Sequence, residues 1–242
     1  MTPSTSESCE AKPVLSPGGR SSLRHWLKIL VTVCFVMLLL PSAILSGFGR
    51  INLVFTFFAH AWALIPGIVG DYVRVAYYML TLRSCSWECQ VCFGSYFAHP
   101  EATVARFVGI GPYCVVGRVA IGERTKIGTA TQIVSGQQQH RRDPEGRLTS
   151  EGGVFTEVVI GSDCWIGVSC VIAADVGPGA NLAAGSVVLT PVPPGAVMAG
   201  NPARKFLAEC NLIQIKPRGN KFRISCEEFL HRRSSSMQEL AV

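Results

Sequence analysis

The amino-acid sequence predicts a mainly β protein, a parallel β-helix preceded by an N-terminal hydrophobic helical hairpin. Three observations carry this reading. From Ile160 an aliphatic residue returns at Ile166, Ile172, Val176, Leu182 and Val188, six apart except for one four-residue step from Ile172 to Val176. The same rhythm runs earlier through Cys92, Ala98, Val104, Ile110, Val116, Ile121, Ile127 and Ile133, with one five-residue step from Val116 to Ile121. Ahead of it lie two nearly uncharged spans, residues 29–49 and 51–70.

A period of six belongs to neither helix nor ordinary strand, whose side chains repeat at 3.6 and 2. It fits a coil of short flat strands, one per hexapeptide, with the aliphatic side chain pointing into a narrow core. The Gly or Ala that follows it in most steps, as at Gly161, Gly167 and Gly177, suits a tight corner.

Taken in order, residues 1–21 are rich in Ser, Pro, Glu and Gly and read as a disordered leader. Residues 22–84 form the hydrophobic region. Residues 29–49 hold no charge, and residues 51–70 hold only His60 as a titratable group before Asp71. Twenty helical residues rise about 30 Å, the thickness of a hydrocarbon core. A cleaved signal peptide shares the Arg24/Lys28 start, but the long leader and the second apolar span argue against it. Arg20, Arg24 and Lys28 before the first span, and Arg74 and Arg83 after the second, place both ends on the cytoplasmic face of a membrane. A re-entrant, non-spanning hairpin satisfies the same pattern. Residues 71–83, with Tyr and Arg interleaved, read as a short helix at the lipid interface.

Residues 85–206 hold the β-helix. Cys85, Cys89 and Cys92 lack a clear fourth zinc ligand and read as the way into the coil. Cys114, Cys164 and Cys170 share one slot, four residues after the aliphatic position, where a small side chain packs. Free thiols in a chain of this size point to a reducing compartment. Residues 135–158 break the rhythm with a polar, turn-rich stretch that must project from the coil, and a long loop on a rigid solenoid is a functional candidate. Residues 207–242 lose the repeat and read as a C-terminal tail. The net charge of +6 is scattered and gives no nucleic-acid footprint; a membrane surface or an anionic ligand accounts for it.

Ile160-Gly-Ser-Asp-Cys-Trp-Ile-Gly, Ala184-Gly-Ser-Val-Val, Pro193-Pro-Gly and Ala199-Gly-Asn-Pro-Ala-Arg follow one another in an order and spacing that resembles the hexapeptide-repeat acyltransferases. The branch it is most similar to is the galactoside, maltose and exopolysaccharide O-acetyltransferases, over residues 91–206. The resemblance implies a left-handed β-helix, a homotrimer, acetyl-CoA or another acyl-CoA as co-substrate, no metal, and sites between neighbouring subunits. It implies transfer to a sugar or cell-envelope polysaccharide precursor, with a loop histidine as general base. His140 is the histidine of the 135–158 loop. A neutral imidazole takes the proton of the attacking hydroxyl and returns it to the departing thiolate.

Relatives often carry a second loop histidine near Gln137 or Gln138, and here both are Gln. Gln138 is a candidate for binding the acceptor or an oxyanion. Asp143 is a weaker candidate for orienting the His140 ring. The resemblance places Trp165 beside the donor, Gly177, Ala184 and Gly185 along its pantetheine arm, and Arg204 and Lys205 on its phosphates. Two other functions share such a coil. A γ-carbonic anhydrase needs three zinc-ligating histidines, and only His99 and His140 lie in the β-helix, His99 in an apparent turn. A membrane-bound scaffold with a degenerate loop is the non-catalytic alternative, motivated by Gln137 and Gln138.

Overall fold

The computed structural model describes residues 20–136, 140–142, 144–149 and 155–206. Three helices, α1 (Arg20–Leu45), α2 (Asn52–Ala63) and α3 (Gly67–Thr81), lead into a parallel β-solenoid. The solenoid is a three-sided prism. On its first face Cys85, Val104, Ile121 and Ile160 stack in parallel register, continued by Val176 and Val192. On the second, Val91, Ile110, Ile127, Ile166, Leu182 and Met198 stack. On the third, Phe97, Val116, Ile133, Ile172 and Val188 stack. Apart from Cys85, every one of these inward side chains is buried. Each aliphatic side chain so buried contributes about 1.5–3 kcal/mol.

The hexapeptide has a physical division of labour. The residue three places after the inward one takes a positive φ, as at Tyr113 (φ 59), Arg124 (φ 59), Asp163 (φ 57) and Ser169 (φ 55). That residue, and not the Gly next to the aliphatic position, makes the corner. The residue four places on is small, and where it is Thr or Cys its side chain ties one rung to the next. Thr125 Oγ1 donates to Gly161 O (2.7 Å), Cys164 Sγ to Gly177 O (3.2 Å) and Cys170 Sγ to Ala183 O (3.2 Å). Burial pushes the Cys114, Cys164 and Cys170 thiols up from their usual range, so they stay protonated at neutral pH.

One feature of the first rung differs from the sequence expectation. The frame is shifted by one residue: Val91 and Phe97 point inward where the rhythm placed Cys92 and Ala98. The chain regains the register through a seven-residue step from Phe97 to Val104. Cys85 and Cys89 fill ordinary repeat slots, the inward and the small position, with their sulfurs 3.6 Å apart as free thiols.

The hydrophobic region departs further. One helix among the described residues is long and apolar enough to cross a membrane, by its Lys28–Leu45 window of mean hydropathy 2.4. The expected second span is broken. The α2 helix has 12 residues, about 18 Å of rise and too short to cross. Pro66 then stands in extended conformation (φ −79, ψ 164) as the N-cap residue before α3, so the two helices cannot run on as one.

The α3 helix packs on the coil. Its Val75, Ala76, Tyr77 and Tyr78 are buried in one core with Val91 and Phe97, so it closes the open end of the prism. Phe97 N–H donates to the Tyr78 hydroxyl (3.3 Å), and the Tyr77 hydroxyl donates to Phe55 O (3.1 Å). Arg74 is fully buried. It donates to the Val91 carbonyl on the first rung (2.8 Å), to Trp62 O in the last turn of α2 (3.2 Å), to Ile65 O just after it (2.8 Å), and to Asp71 (2.6 Å).

Candidate functional site

Every departure from the six-residue step falls at one edge of the prism, where the third face turns into the first. The steps there run Phe97 to Val104, Val116 to Ile121, Ile133 to Ile160, Ile172 to Val176 and Val188 to Val192. The steps across the other two edges are all six. The large insertion between the inward residues Ile133 and Ile160 is thus an enlarged form of a corner that already tolerates length changes. The rungs on either side of it pair directly, Val119 with Val158 and Ile121 with Ile160, so the loop leaves the coil undistorted.

The loop neck is tightly built. Thr156 N–H donates to Ser135 O (3.1 Å), and Ser135 Oγ accepts from Arg118 N–H (2.8 Å). The Phe155 ring packs on His99, with centroids 4.8 Å apart. Glu157 pairs with Arg83 at the start of the coil (3.2 Å). His99 therefore sits beneath the loop root. Burial pushes its imidazole below the usual histidine range, with Arg118 reinforcing and Glu101 opposing. Its position was missed in the sequence because His99-Pro100 reads as a plain turn. The seven-residue step around it was the available signal.

Beyond the neck, Arg141–Arg142 and Leu148–Thr149 pair as a short antiparallel hairpin. His140 stands exposed at its start. Gln138 and Asp143 lie outside the described residues.

The expected donor-side residues gather around the second face. Trp165 points outward there, 60% exposed, in register between Lys126 and Asn181. The strand Arg204–Lys205 extends the same sheet, antiparallel to Val197–Ala199, and both cations are exposed. It stands three strand spacings from Trp165, about 14 Å. Gly177 lies on one edge of this face and Ala184 and Gly185 on the other. Both glycines have structural reasons to be there. A Cβ on Gly177 would meet the Pro194 nitrogen at 2.5 Å, and Gly185 occupies the corner position with φ +71.

A triangular prism decides what meets what. The edge that roots the His140 loop is opposite the second face. Within one chain the structure joins Trp165, Arg204 and Lys205 on one side and places the loop root on the other.

No protein-family model matches the sequence, and no curated protein sequence is similar to it. Solved structures do share the architecture. A maltose O-acetyltransferase from Clostridium difficile 630 superposes with a TM-score of 0.51 at 18% identity, over 65% of this chain and 87% of its own. A galactoside acetyltransferase in complex with coenzyme A gives 0.46 at 20% identity, over 66% and 82%. A hexapeptide-repeat acetyltransferase from Vibrio cholerae gives 0.42 at 22%, over 64% and 90%. The chain has the hexapeptide-repeat β-solenoid fold, the fold of that maltose O-acetyltransferase.

Proposed function

We propose that this protein is an acyl-CoA-dependent O-acyltransferase, acetyl-CoA being its donor and a sugar or cell-envelope glycan precursor its acceptor. The observation that carries the reading is the opposition of the loop root and the second face. Two half-sites on opposite sides of one prism become one site when copies pack side by side, the loop of one against the second face of the next. A homotrimer closes such an arrangement, because each contact is head-to-tail.

In that site the acceptor hydroxyl oxygen attacks the thioester carbonyl. His140 takes the hydroxyl proton, the C–O bond forms, the C–S bond breaks, and the proton passes to the CoA thiolate. Trp165 covers the pantetheine arm, and Arg204 and Lys205 meet the CoA phosphates. Gln138 holds the acceptor or the tetrahedral oxyanion, and Asp143 orients the His140 ring. The thiols of the coil take no part, since burial keeps them protonated.

The test is complementation between chains. His140→Ala and Trp165→Ala proteins are each assayed alone, then unfolded and refolded together, with acetyl transfer to a panel of sugars as readout. With acetyl-CoA limiting, His140→Ala alone is expected to be nearly inactive and Trp165→Ala alone to keep about a tenth of wild-type activity. The mixture is expected to regain activity, because some sites then hold an intact His140 and an intact Trp165 from different chains. Full transfer by His140→Ala alone would overturn the role of that residue. A mixture no more active than its components would overturn the shared site. A wild-type protein with neither turnover nor CoA binding is the scaffold instead, and Gln137 and Gln138 in the loop are what would explain it.

A further inference from the structure

The three helices form a layer across one end of the prism. The α3 helix contacts the first rung along its length, from Asp71 against Gln90 (3.0 Å) to Tyr78 against Phe97 (3.3 Å). The α1 helix runs beside it, with the Phe35 and Tyr72 rings stacked at 5.9 Å and Leu39 buried in the shared core. The α2 helix packs on α3 through Phe55 and Tyr77. The layer is fastened to the solenoid by the buried Arg74, which bonds to both the α2–α3 turn and the first rung.

The layer leaves an apolar surface uncovered. On α1, Trp26, Leu30, Met37 and Ile44 are exposed at spacings of four and seven, a single helical stripe. On α2, Leu53 and Phe57 repeat the spacing, Leu53 being 83% exposed. Only 22% of the most apolar window of α1 is buried. A stripe of this size on a free surface marks an interaction site.

We propose that this three-helix layer docks flat on the surface of an anionic lipid leaflet, without crossing it, so that the solenoid stands on the membrane with its first rung nearest the lipid. Two observations select lipid and this orientation. The stripe contains no charged residue and lies on a helix whose most apolar window has a mean hydropathy of 2.4, while exposed Arg50 stands between its α1 and α2 parts, where a cation meets a negatively charged headgroup layer as the apolar side chains sink below it. And α1 cannot turn to span the bilayer while one face of it stays packed on α3, because α3 is bonded to the coil. The inference is independent of the catalytic reading: it rests on the helices alone.

The experiment uses the full-length chain, added from outside to preformed vesicles of phosphatidylcholine with phosphatidylglycerol, then floated on a density gradient. Wild type is expected to float, and vesicles of phosphatidylcholine alone are expected to capture several-fold less. Leu30→Glu/Met37→Glu is expected to stay at the bottom of the gradient with an unchanged circular-dichroism spectrum, since both side chains are exposed. Orientation is read separately with Arg50→Cys and a membrane-impermeant maleimide, the labelled peptide identified by mass. Residue 50 is expected to react from outside intact vesicles. Reaction only after the vesicles are opened means that α1 crosses, and overturns the flat arrangement. Flotation of the Glu variant like wild type, or a soluble wild-type oligomer that ignores both kinds of vesicle, overturns the lipid assignment; the second outcome would assign the stripe to another copy of the chain.

Discussion

The guanidinium of Arg74 donates from Nε to the carbonyl oxygen of Val91 at 2.8 Å, joining the last helix to the first turn of the coil. The same side chain satisfies carbonyls of Trp62 and Ile65 and the carboxylate of Asp71. Replacing it by Leu strands those acceptors and leaves Asp71 without its cation. Arg74→Leu should lose about 3–5 kcal/mol of stability, the range for breaking a buried ion pair. Urea unfolding measures it; a loss below 1 kcal/mol would mean that the helices and the coil are not coupled through this residue.

The two glycines assigned to the donor should report structural roles first. Gly177→Ala drives a Cβ to 2.5 Å from the backbone nitrogen of Pro194, so neighbouring rungs must separate. Gly185→Ala meets no atom within 4 Å, and its cost is that of an L-residue at φ +71, about 1–2 kcal/mol. Gly177→Ala is therefore expected to lower the melting temperature more than Gly185→Ala. The opposite order, with a change in CoA affinity alone for Gly177→Ala, would show that contact with the donor dominates there.

Stability should fall at both ends of the pH scale. The Tyr77 hydroxyl is pushed up from 10.0 to about 12 by burial, and the buried thiols are raised above 9.0. Their neutral forms persist in the folded chain after the unfolded chain has ionised, so stability is lost as pH rises through 9 and on toward 12. His99 is shifted below 6.5 by burial. The unfolded chain then binds a proton first, and stability is lost as pH falls below 6.5. Urea midpoints from pH 5 to 11 should form a plateau between these limits. His99→Gln should flatten the acid side, and a midpoint that rises from pH 9 to 11 would contradict the alkaline assignment.

Trp165 should matter to binding and not to folding. Its ring is 60% exposed on the second face. Trp165→Ala is expected to leave the melting temperature unchanged and to weaken acetyl-CoA binding roughly tenfold, the scale of one aromatic contact. Calorimetric titration gives the affinity. A large fall in stability would place the ring in a packing role.

Much of the coil was legible because its period is a direct copy of its geometry. Six residues make one short strand and one corner, and one side chain of the six must enter the prism, so Ile110, Ile127, Ile166 and Leu182 announced themselves. The first rung was harder. Val91 and Cys92, like Phe97 and Ala98, are neighbours that are both apolar, and hydropathy does not say which of two adjacent apolar residues turns inward. Pairing with Ile110 and Val116 of the next rung decides it. The helices were harder still. Two apolar spans look like a membrane hairpin, yet Pro66 divides the second, and Arg74 lies in the core instead of at a headgroup because carbonyls of the first rung and of the α2–α3 turn stand ready to accept from it.

The sequence by itself determined the repeat, which side chains from Val104 to Val188 turn inward, and the loop that carries His140, because these follow from local spacing along the chain. Only the tertiary structure decided that the loop root stands opposite Trp165. Opposition is a property of the closed prism: it depends on which of three edges absorbs the irregular steps, and a linear period carries no record of that until the rungs are stacked.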